Sequence, residues 1–184
     1  MHRRTLLALL PAVLAAACTG PTGTALTRAE RGALRIASFR VDPSGGDFRN
    51  AGPDYRNRIV GDLAEALRRE FSDRVDPNGW VMQAEIGVLD VVGGTATATG
   101  RGQSQLSATL RLIDQRGALR ASIPLTVTAG AARETLTGTA VGAITGGRDR
   151  FYRDLLEAYA RDARTVVLGE DLPGERLVRR ARDL

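Results

Sequence analysis

The chain is poor in the residue types on which most enzymes depend. Its 184 residues include no lysine, one histidine at position 2 and one cysteine at position 18. A zinc or copper site of His and Cys ligands, a Ser-His-Asp triad and a lysine Schiff base or phosphate clamp all need residues that are absent beyond position 18. We therefore expect no cofactor, no metal site and no enzymatic activity of these kinds.

Aromatic residues are also scarce, with one Trp, three Tyr and four Phe in the whole chain. Stacking platforms for sugars or nucleobases are hard to build from so few rings. All 26 basic residues are arginines, and they are interspersed with 21 acidic residues rather than gathered into a basic stripe. This mixed charge argues against nucleic acid as a partner.

Two catalytic arrangements remain compatible with this composition: a pair of carboxylates, as in glycoside hydrolysis, or a Ser, Thr or Tyr activated by Arg. The candidate carboxylates are Glu85 and Asp90, which lie on one predicted strand. Being five residues apart, they are expected on opposite faces of a regular strand. A carboxylate-based hydrolase of envelope polymers therefore remains only as an alternative function.

The N-terminus has the order of parts of a secretory signal peptide. A basic start at Arg3 and Arg4 precedes an apolar run from Leu6 to Ala17, which ends at Cys18. Twelve helical residues span about 18 Å, which is too short to cross a bilayer core of about 30 Å. The sequence therefore predicts export, with 1–17 as the signal peptide. The twin arginine also resembles a twin-arginine export signal, so the route stays open.

The segment Leu14-Ala15-Ala16-Ala17-Cys18 resembles the lipobox of bacterial lipoproteins, although Leu lies one position earlier than is usual in that family. The resemblance implies that Cys18 becomes the first mature residue, with a thioether-linked diacylglycerol and an amide-linked acyl chain. Two or more acyl chains anchor a protein stably in a membrane. The alternative is ordinary cleavage after Ala15-x-Ala17, which would release a soluble secreted protein.

Cleavage before Cys18 would remove 17 of the 184 residues and leave 24 arginines against 21 Asp and Glu, with no histidine.

Thr19 occupies the position where lipoproteins of the inner membrane often carry Asp, so the resemblance places the protein at the outer membrane, facing the periplasm. The partners expected are the membrane, through the lipid on Cys18, and an envelope protein.

The remaining chain is predicted as a tether over 18–32, one domain over 33–168 and a basic tail over 169–184. Apolar residues at helical spacing predict one helix starting at Asp54, its expected N-cap, and ending at Phe71, and another from Asp149 to Leu168 with Gly169 as its stop. Strands are expected at Leu34–Val41 and Trp80–Val92.

Strict alternation of apolar and polar residues predicts a β-hairpin from Leu106 to Val127 around the turn Gln115-Arg116-Gly117. Pro124 cannot donate a ladder hydrogen bond and favours an edge position for the second strand. Segment 93–103 is predicted as a loop, and segment 131–147 as either a strand or a flap.

This order of elements predicts an α+β fold, with a curved, mostly antiparallel sheet of four or five strands and two helices packed on one face. The first two strands are expected to be parallel, because a helix crosses between them. The opening segment LRIASF at 34–39, the helix after Pro53 and the stretch GRGQSQ at 100–105 before an alternating strand resemble small uncharacterised bacterial envelope lipoproteins. These are distantly similar to the periplasmic domains of the curli-secretion lipoprotein and of the amino-terminal part of the Tol-Pal translocation protein. The function expected is a non-catalytic binding or assembly module, or alternatively a small-ligand or lipid carrier gated by 93–103 and 131–147.

Overall fold

The computed structural model describes residues 26–92, 103–129 and 147–169. In chain order, its helices are α1 (Arg28–Ala33), α2 (Pro53–Glu70) and α3 (Arg148–Leu168), and a short 3-10 turn covers Ser72–Arg74. Its strands are β1 (Ile36–Asp42), β2 (Asp47–Arg49), β3 (Trp80–Asp90), β4 (Ser104–Ile113) and β5 (Leu119–Ala129). The α+β prediction is confirmed.

The five strands form one mixed, open sheet with β1, β3, β4 and β5 side by side and β2 continuing the line of β1 along β3. β1 and β2 both pair parallel with β3, whereas β3 with β4 and β4 with β5 are antiparallel. The expected parallel pairing across the first helix is confirmed, and so is the edge position of β5 with its Pro124.

Both long helices cover the same face of the sheet, where their apolar stripes form the core. α2 packs on β1, α3 packs on β4 and β5, and the two helices contact each other. The largest fully buried side chains include Tyr152, Tyr159, Phe71, Met82 and Leu110. The helices run parallel, since Tyr55 reaches Asp149 at their N-terminal ends and Glu70 reaches Arg164 near their C-terminal ends.

The N-cap of helix α2 lies two residues earlier than expected. Pro53 occupies its first turn and Gly52 is the N-cap, so the predicted cap at Asp54 is wrong. Proline is well suited to that position because its missing N–H would be unbonded there in any case. Helix α3 ends as predicted at Gly169, whose φ of 85° is one that glycine adopts readily.

Candidate anchor and contact surfaces

The described chain enters the fold at Leu26, which is buried and accepts a hydrogen bond from Arg31 Nε at 3.0 Å. Helix α1 follows at once and starts with a capping box. The Thr27 N–H donates to Glu30 Oε2 at 2.9 Å, and the Glu30 N–H donates to Thr27 Oγ1 at 3.2 Å. These paired bonds satisfy backbone donors that a six-residue helix would otherwise leave open.

Glu30 ties α1 to the sheet as well. Its carboxylate accepts a hydrogen bond from Arg120 Nη2 at 2.6 Å, and the Arg120 guanidinium lies 5.8 Å from the centre of the Trp80 ring. The Thr27 backbone hydrogen bond and then the Arg120 contact lower the pKa of Glu30 to about 2. The carboxylate therefore stays ionised throughout the physiological range, and the link from α1 to β5 does not depend on pH there.

Helix α1 and Leu26 lie at one end of the domain, which we call the base. The base also contains the turn at 76–79, the β4–β5 turn at 114–118 and the C-terminal end of α3. The Gln115 side chain donates to the Asn78 carbonyl, joining the two turns. Arg74 Nη1 donates to the Gly32 carbonyl at 3.1 Å, and a Cβ atom on Gly169 would lie 3.1 Å from Arg31 Nη1. The segment predicted as a tether is therefore folded from Leu26 onward.

A close backbone approach holds this end together. A Cβ atom on Gly79 would lie 2.5 Å from the Arg35 carbonyl carbon, so no larger residue fits without displacing the chain. The Trp80 N–H donates to the Arg35 carbonyl at 2.8 Å, and the Asp76 N–H donates to the Ile36 carbonyl at 3.0 Å. The residues that follow α1 are thereby fixed against the start of β3.

The predicted lipidation residue Cys18 lies outside the described residues, as do the predicted gating segments except for their ends at Gln103 and Gly147. Seven residues, 19–25, separate Cys18 from Leu26. Eight Cα-to-Cα steps can span at most about 26–29 Å. Any anchor on Cys18 therefore acts close to the base.

The two candidate carboxylates lie on the same face of the sheet, contrary to prediction. Ile86 pairs with Ala108 but Val88 pairs with Ser107, so Gly87 is an extra residue in β3 and forms a β-bulge. The bulge shifts the alternation by one residue, which turns Asp90 to the side of Glu85, away from the helices. The one sign of this bulge in the sequence is Gly87, because a glycine within a strand often marks a bulge.

Each of the two carboxylates has its own partner. Glu85 forms an ion pair with Arg111 on β4 and accepts a hydrogen bond from the Gln83 side chain at 3.4 Å. Asp90 accepts a hydrogen bond from Asn50 Nδ2 at 3.0 Å. Five residues of strand separate them by roughly 16 Å, well beyond the 5–9.5 Å or so between the carboxyl groups of glycosidases. The two do not form one acid–base pair.

The face of the sheet opposite the helices, which we call the outer face, carries polar side chains in rows across the strands. One row is Arg40, Gln83, Arg111 and Ser122, and the next is Asp42, Glu85, Thr109 and Pro124. Further along, Thr126 Oγ1 donates to Ser107 Oγ at 3.0 Å. Neither of the long helices covers this face, so these side chains and the Glu85–Arg111 ion pair face away from the core.

At the end opposite the base, which we call the far end, two tyrosines and an arginine join the helices. Tyr55 and Tyr152 have ring centres 4.9 Å apart, with the Arg58 guanidinium 5.5 Å from the Tyr152 ring. Tyr55 donates to Asp149 at 3.0 Å and Tyr152 donates to Asp62 at 3.0 Å. Burial raises the pKa of both tyrosines, and the neighbouring carboxylates raise it further. The cluster is a structural clamp, since every hydroxyl in it is already bonded.

A cleft of about 480 Å³ lies between the C-terminal half of α2 and α3. Its floor is Ala66 and Ala160, while its walls carry charges of both signs from Arg69, Glu70, Glu157 and Arg161. Ligand pockets are usually lined mainly by apolar and aromatic side chains. This charged lining does not match the cavity expected of a lipid carrier.

Within 26–92, 103–129 and 147–169, no group of three or more His, Cys, Asp or Glu residues has the geometry to hold a metal ion. No helix in these ranges is both long and apolar enough to cross a membrane.

No protein-family model matches the chain, and no curated protein matches it. Among solved structures it is similar to a protein from Caulobacter crescentus CB15 described as a "putative lipoprotein", at 18% sequence identity and a TM-score of 0.35, over 78% of this chain and 100% of that one. A second structure, of an uncharacterized protein, has 10% identity and a TM-score of 0.34 over 71% of this chain and 90% of that one. The resemblance to the curli-secretion and Tol-Pal proteins gains no support from these comparisons.

Sequence reasoning missed the base and its helix α1. The signal was present as Thr27-Arg28-Ala29-Glu30, a capping box of the form Ser/Thr-x-x-Glu. It is easily overlooked because the apolar run that usually follows such a box is absent here. The buried residues on either side, Leu26 and Leu34, are separated by a helix with no buried residue of its own.

Proposed function

We propose that the protein is a lipid-anchored lipoprotein of the bacterial cell envelope, held by Cys18, and that it acts by binding other envelope components rather than by catalysis. The observation that carries the proposal is the position of the only cysteine, directly after the apolar run and Leu-Ala-Ala-Ala. A thiol at that point is the group that lipoprotein maturation modifies. Placement at the outer membrane, facing the periplasm, is part of the proposal.

The short distance from Cys18 to the first buried residue supports an anchoring role. Leu26 is 5% exposed, so the folded domain begins only eight residues after the proposed lipid. A tether of this length holds the domain within about 29 Å of the membrane surface. Components of the same membrane, or of the layer next to it, are then the partners within reach.

The outer face of the sheet is the surface we assign to partner binding. It is broad, it is built on the rigid backbones of four strands, and its central residues Glu85 and Arg111 offer one charge of each sign. The separate engagement of Glu85 and Asp90 favours binding over hydrolysis. We expect a protein partner, because few aromatic rings are available to stack on sugars.

The anchor is tested by expressing the chain in a bacterial host with its own signal, beside a Cys18→Ala variant. We expect a mature mass that starts at Cys18 with acyl chains added, and membrane association that the variant loses. An unmodified mass, or a variant that fractionates with membranes as wild type does, would refute the lipoprotein assignment.

Binding through the outer face is tested by photo-crosslinking in the cell envelope. A photoreactive amino acid at Thr109 or Ser122 on the outer face should give a discrete crosslinked product. The matched positions are Arg153 and Arg161, which are exposed on α3 on the other side of the sheet. Equal products from both sets, or products from α3 alone, would refute the assignment of the outer face.

A further inference from the structure

The base of the domain carries positive charge that its own carboxylates leave unneutralised. Arg28 on α1, Arg35 before β1 and Arg116 in the β4–β5 turn are all exposed. Among the described residues, none of these three side chains forms an ion pair with a carboxylate. We call them the base arginines.

The acidic side chains at the base are engaged internally. Glu30 binds Arg120, and Asp73 binds Arg164. Asp114 accepts the N–H groups of Arg116 and Ala118, while Asp76 accepts that of Asn78. Arginines neutralise Glu30 and Asp73, whereas N–H hydrogen bonds leave Asp76 and Asp114 charged, and Asp114 also lies 3.9 Å from Arg120 Nη1. The three base arginines outnumber these two carboxylates, so the charge at this end is positive.

The three arginines share one end of the fold through direct contacts. The Arg35 carbonyl accepts from the Trp80 N–H at 2.8 Å, immediately after the turn that contains Asn78. The Asn78 carbonyl in turn accepts from Gln115, the neighbour of Arg116. Arg28 begins α1, and Glu30 of this helix binds Arg120, which lies just after the β4–β5 turn that contains Arg116. The surface that these contacts assemble is also where the chain from Cys18 enters.

Chain length restricts how this domain can sit on a membrane that holds Cys18. Helix α3 has 21 residues and runs from the far end to the base, a length of about 31 Å. If the far end touched the membrane, Leu26 would lie about the length of α3 above the surface. The eight Cα-to-Cα steps from Cys18 to Leu26 span at most about 26–29 Å, which is too short. The base is therefore the end that can face the membrane.

We propose that Arg28, Arg35 and Arg116 bind the phosphate groups of anionic lipids in the membrane that holds Cys18. This inference rests on the proposed lipid anchor. Guanidinium groups donate paired hydrogen bonds to phosphate oxygens, and arginines near an anionic surface add to membrane affinity. The contact fixes the domain with its base on the membrane and leaves the outer face and the far end accessible.

The test uses the acylated mature protein reconstituted into vesicles of phosphatidylcholine, with or without phosphatidylglycerol. Cys18 is the only cysteine, so acylation leaves a newly introduced thiol as the single labelling site. A fluorophore at Ala118→Cys reports on the base, and one at Asp154→Cys, exposed on α3 toward the far end, is the control. A quencher attached to lipid headgroups measures how close each label lies to the membrane.

We expect phosphatidylglycerol to increase quenching at position 118 but not at 154. The triple variant R28Q/R35Q/R116Q should not show this increase in quenching. Salt at about 1 M should abolish the increase in the wild-type protein, because the screening length is then about 3 Å. The variant R148Q/R150Q/R153Q removes the same charge from the far end and should retain it. All six side chains are exposed, and matching circular dichroism would verify that both variants are folded.

Quenching at 118 that is the same in both vesicle types, or that survives R28Q/R35Q/R116Q, would overturn this inference and leave the lipid anchor standing. A far-end label quenched more than the base label would overturn it as well. An intact mass without acyl chains, measured before reconstitution, would instead overturn the proposed function, and this inference would fall with it.

Discussion

Arg164 on α3 binds the carboxylate of Asp73 through two hydrogen bonds, from Nη1 at 2.7 Å and from Nη2 at 3.1 Å. The same guanidinium donates to the Glu70 carbonyl at 2.9 Å, at the C-terminal end of α2, and lies 5.8 Å from the centre of the Phe71 ring. A cation at this position offsets the partial negative charge of the helix end. One side chain thus connects the C-terminal ends of both long helices with the 3-10 turn between α2 and β3.

Replacing Arg164 with alanine should lower the free energy of unfolding by about 2–4 kcal/mol. The substitution removes both hydrogen bonds to the partly buried Asp73 carboxylate and the one to the Glu70 carbonyl, and leaves Asp73 with the longer contact to Arg74 Nε at 3.5 Å. Urea denaturation measures the change. Arg161→Ala is the matched control: Arg161 lies one turn earlier, is exposed and forms no ion pair among the described residues, so its loss should change stability by less than about 0.5 kcal/mol. Equal effects of the two substitutions would contradict the role of Arg164.

The Asp73 contact should make stability depend on acidity. Burial opposes ionisation of this carboxyl, but the hydrogen bonds and charge of Arg164 outweigh burial and hold its pKa below the usual value. The stabilisation is therefore fully present above about pH 4, where the unfolded chain is ionised, and is lost as the pH falls through the lower folded-state pKa. The unfolding free energies of wild type and Asp73→Asn should converge below about pH 4. A difference that stays constant from neutral to acidic pH would refute this linkage.

None of the three tyrosines should ionise near its ordinary pKa in the folded protein. Burial raises the pKa of Tyr159, whose hydroxyl donates to the Ala108 carbonyl at 3.3 Å, and burial with neighbouring carboxylates does the same for Tyr55 and Tyr152. Ultraviolet absorbance of tyrosinate should stay flat through about pH 10 and rise only at higher pH, whereas the denatured chain should titrate near 10.

The same shifts set the alkaline limit of stability. Because the unfolded chain releases these protons first, stability present below about pH 10 should decline as the pH rises further. A tyrosine that ionises near pH 10 without any loss of folded structure would show that its hydroxyl is not held as the structure has it. Tyr159→Phe should leave two tyrosines that ionise only above about pH 10, and the absorbance change that disappears identifies Tyr159.

Ser104 is a fully buried polar residue at the start of β4. Its hydroxyl accepts a hydrogen bond from the Val92 N–H at 3.0 Å and donates one to the Val92 carbonyl at 3.2 Å, which ties the chain two residues beyond β3 to the start of β4. Ser104→Ala should cost about 1–2 kcal/mol, because it removes two hydrogen bonds to the part-buried backbone of Val92. Ser122→Ala on the outer face should change the unfolding free energy by less than about 0.5 kcal/mol. Similar costs at the two serines would argue against the Val92 contacts.

Local patterns determined most of the elements. The 3.6-residue period of α2 and α3 and the strict alternation of β4 and β5 are properties of short stretches, and the structure has all four close to the predicted bounds. The stop at Gly169 and the edge position of Pro124 followed from the backbone chemistry of single residues. The predicted lipidation of Cys18 rests on the same kind of local pattern and stays a prediction.

Other features depend on residues far apart in the chain, and sequence patterns do not encode them. The three-residue β2 lies between the predicted strand at Leu34–Val41 and the predicted helix at Asp54, where no strand was expected. It exists because β3 is long enough to pair with it beyond β1. The bulge at Gly87 becomes visible only against the register of β4, and it reverses the face on which Asp90 lies. A periodicity argument assumes a regular strand, so one inserted residue invalidates it for every position that follows.

Period and composition are properties of the chain alone, and from them followed the order of α2, α3, β1, β3, β4 and β5, the α+β class and the shortage of catalytic side chains. Tertiary packing, by contrast, closes the base with α1, places Glu85 and Asp90 on one face with separate partners, and brings Arg28, Arg35 and Arg116 to the same end of the domain. These features depend on contacts between residues far apart in the chain, such as Arg120 and Glu30, which are 90 positions apart. They form because packing the two helices on one face of the sheet brings distant residues together, and no local rule specifies which ones meet.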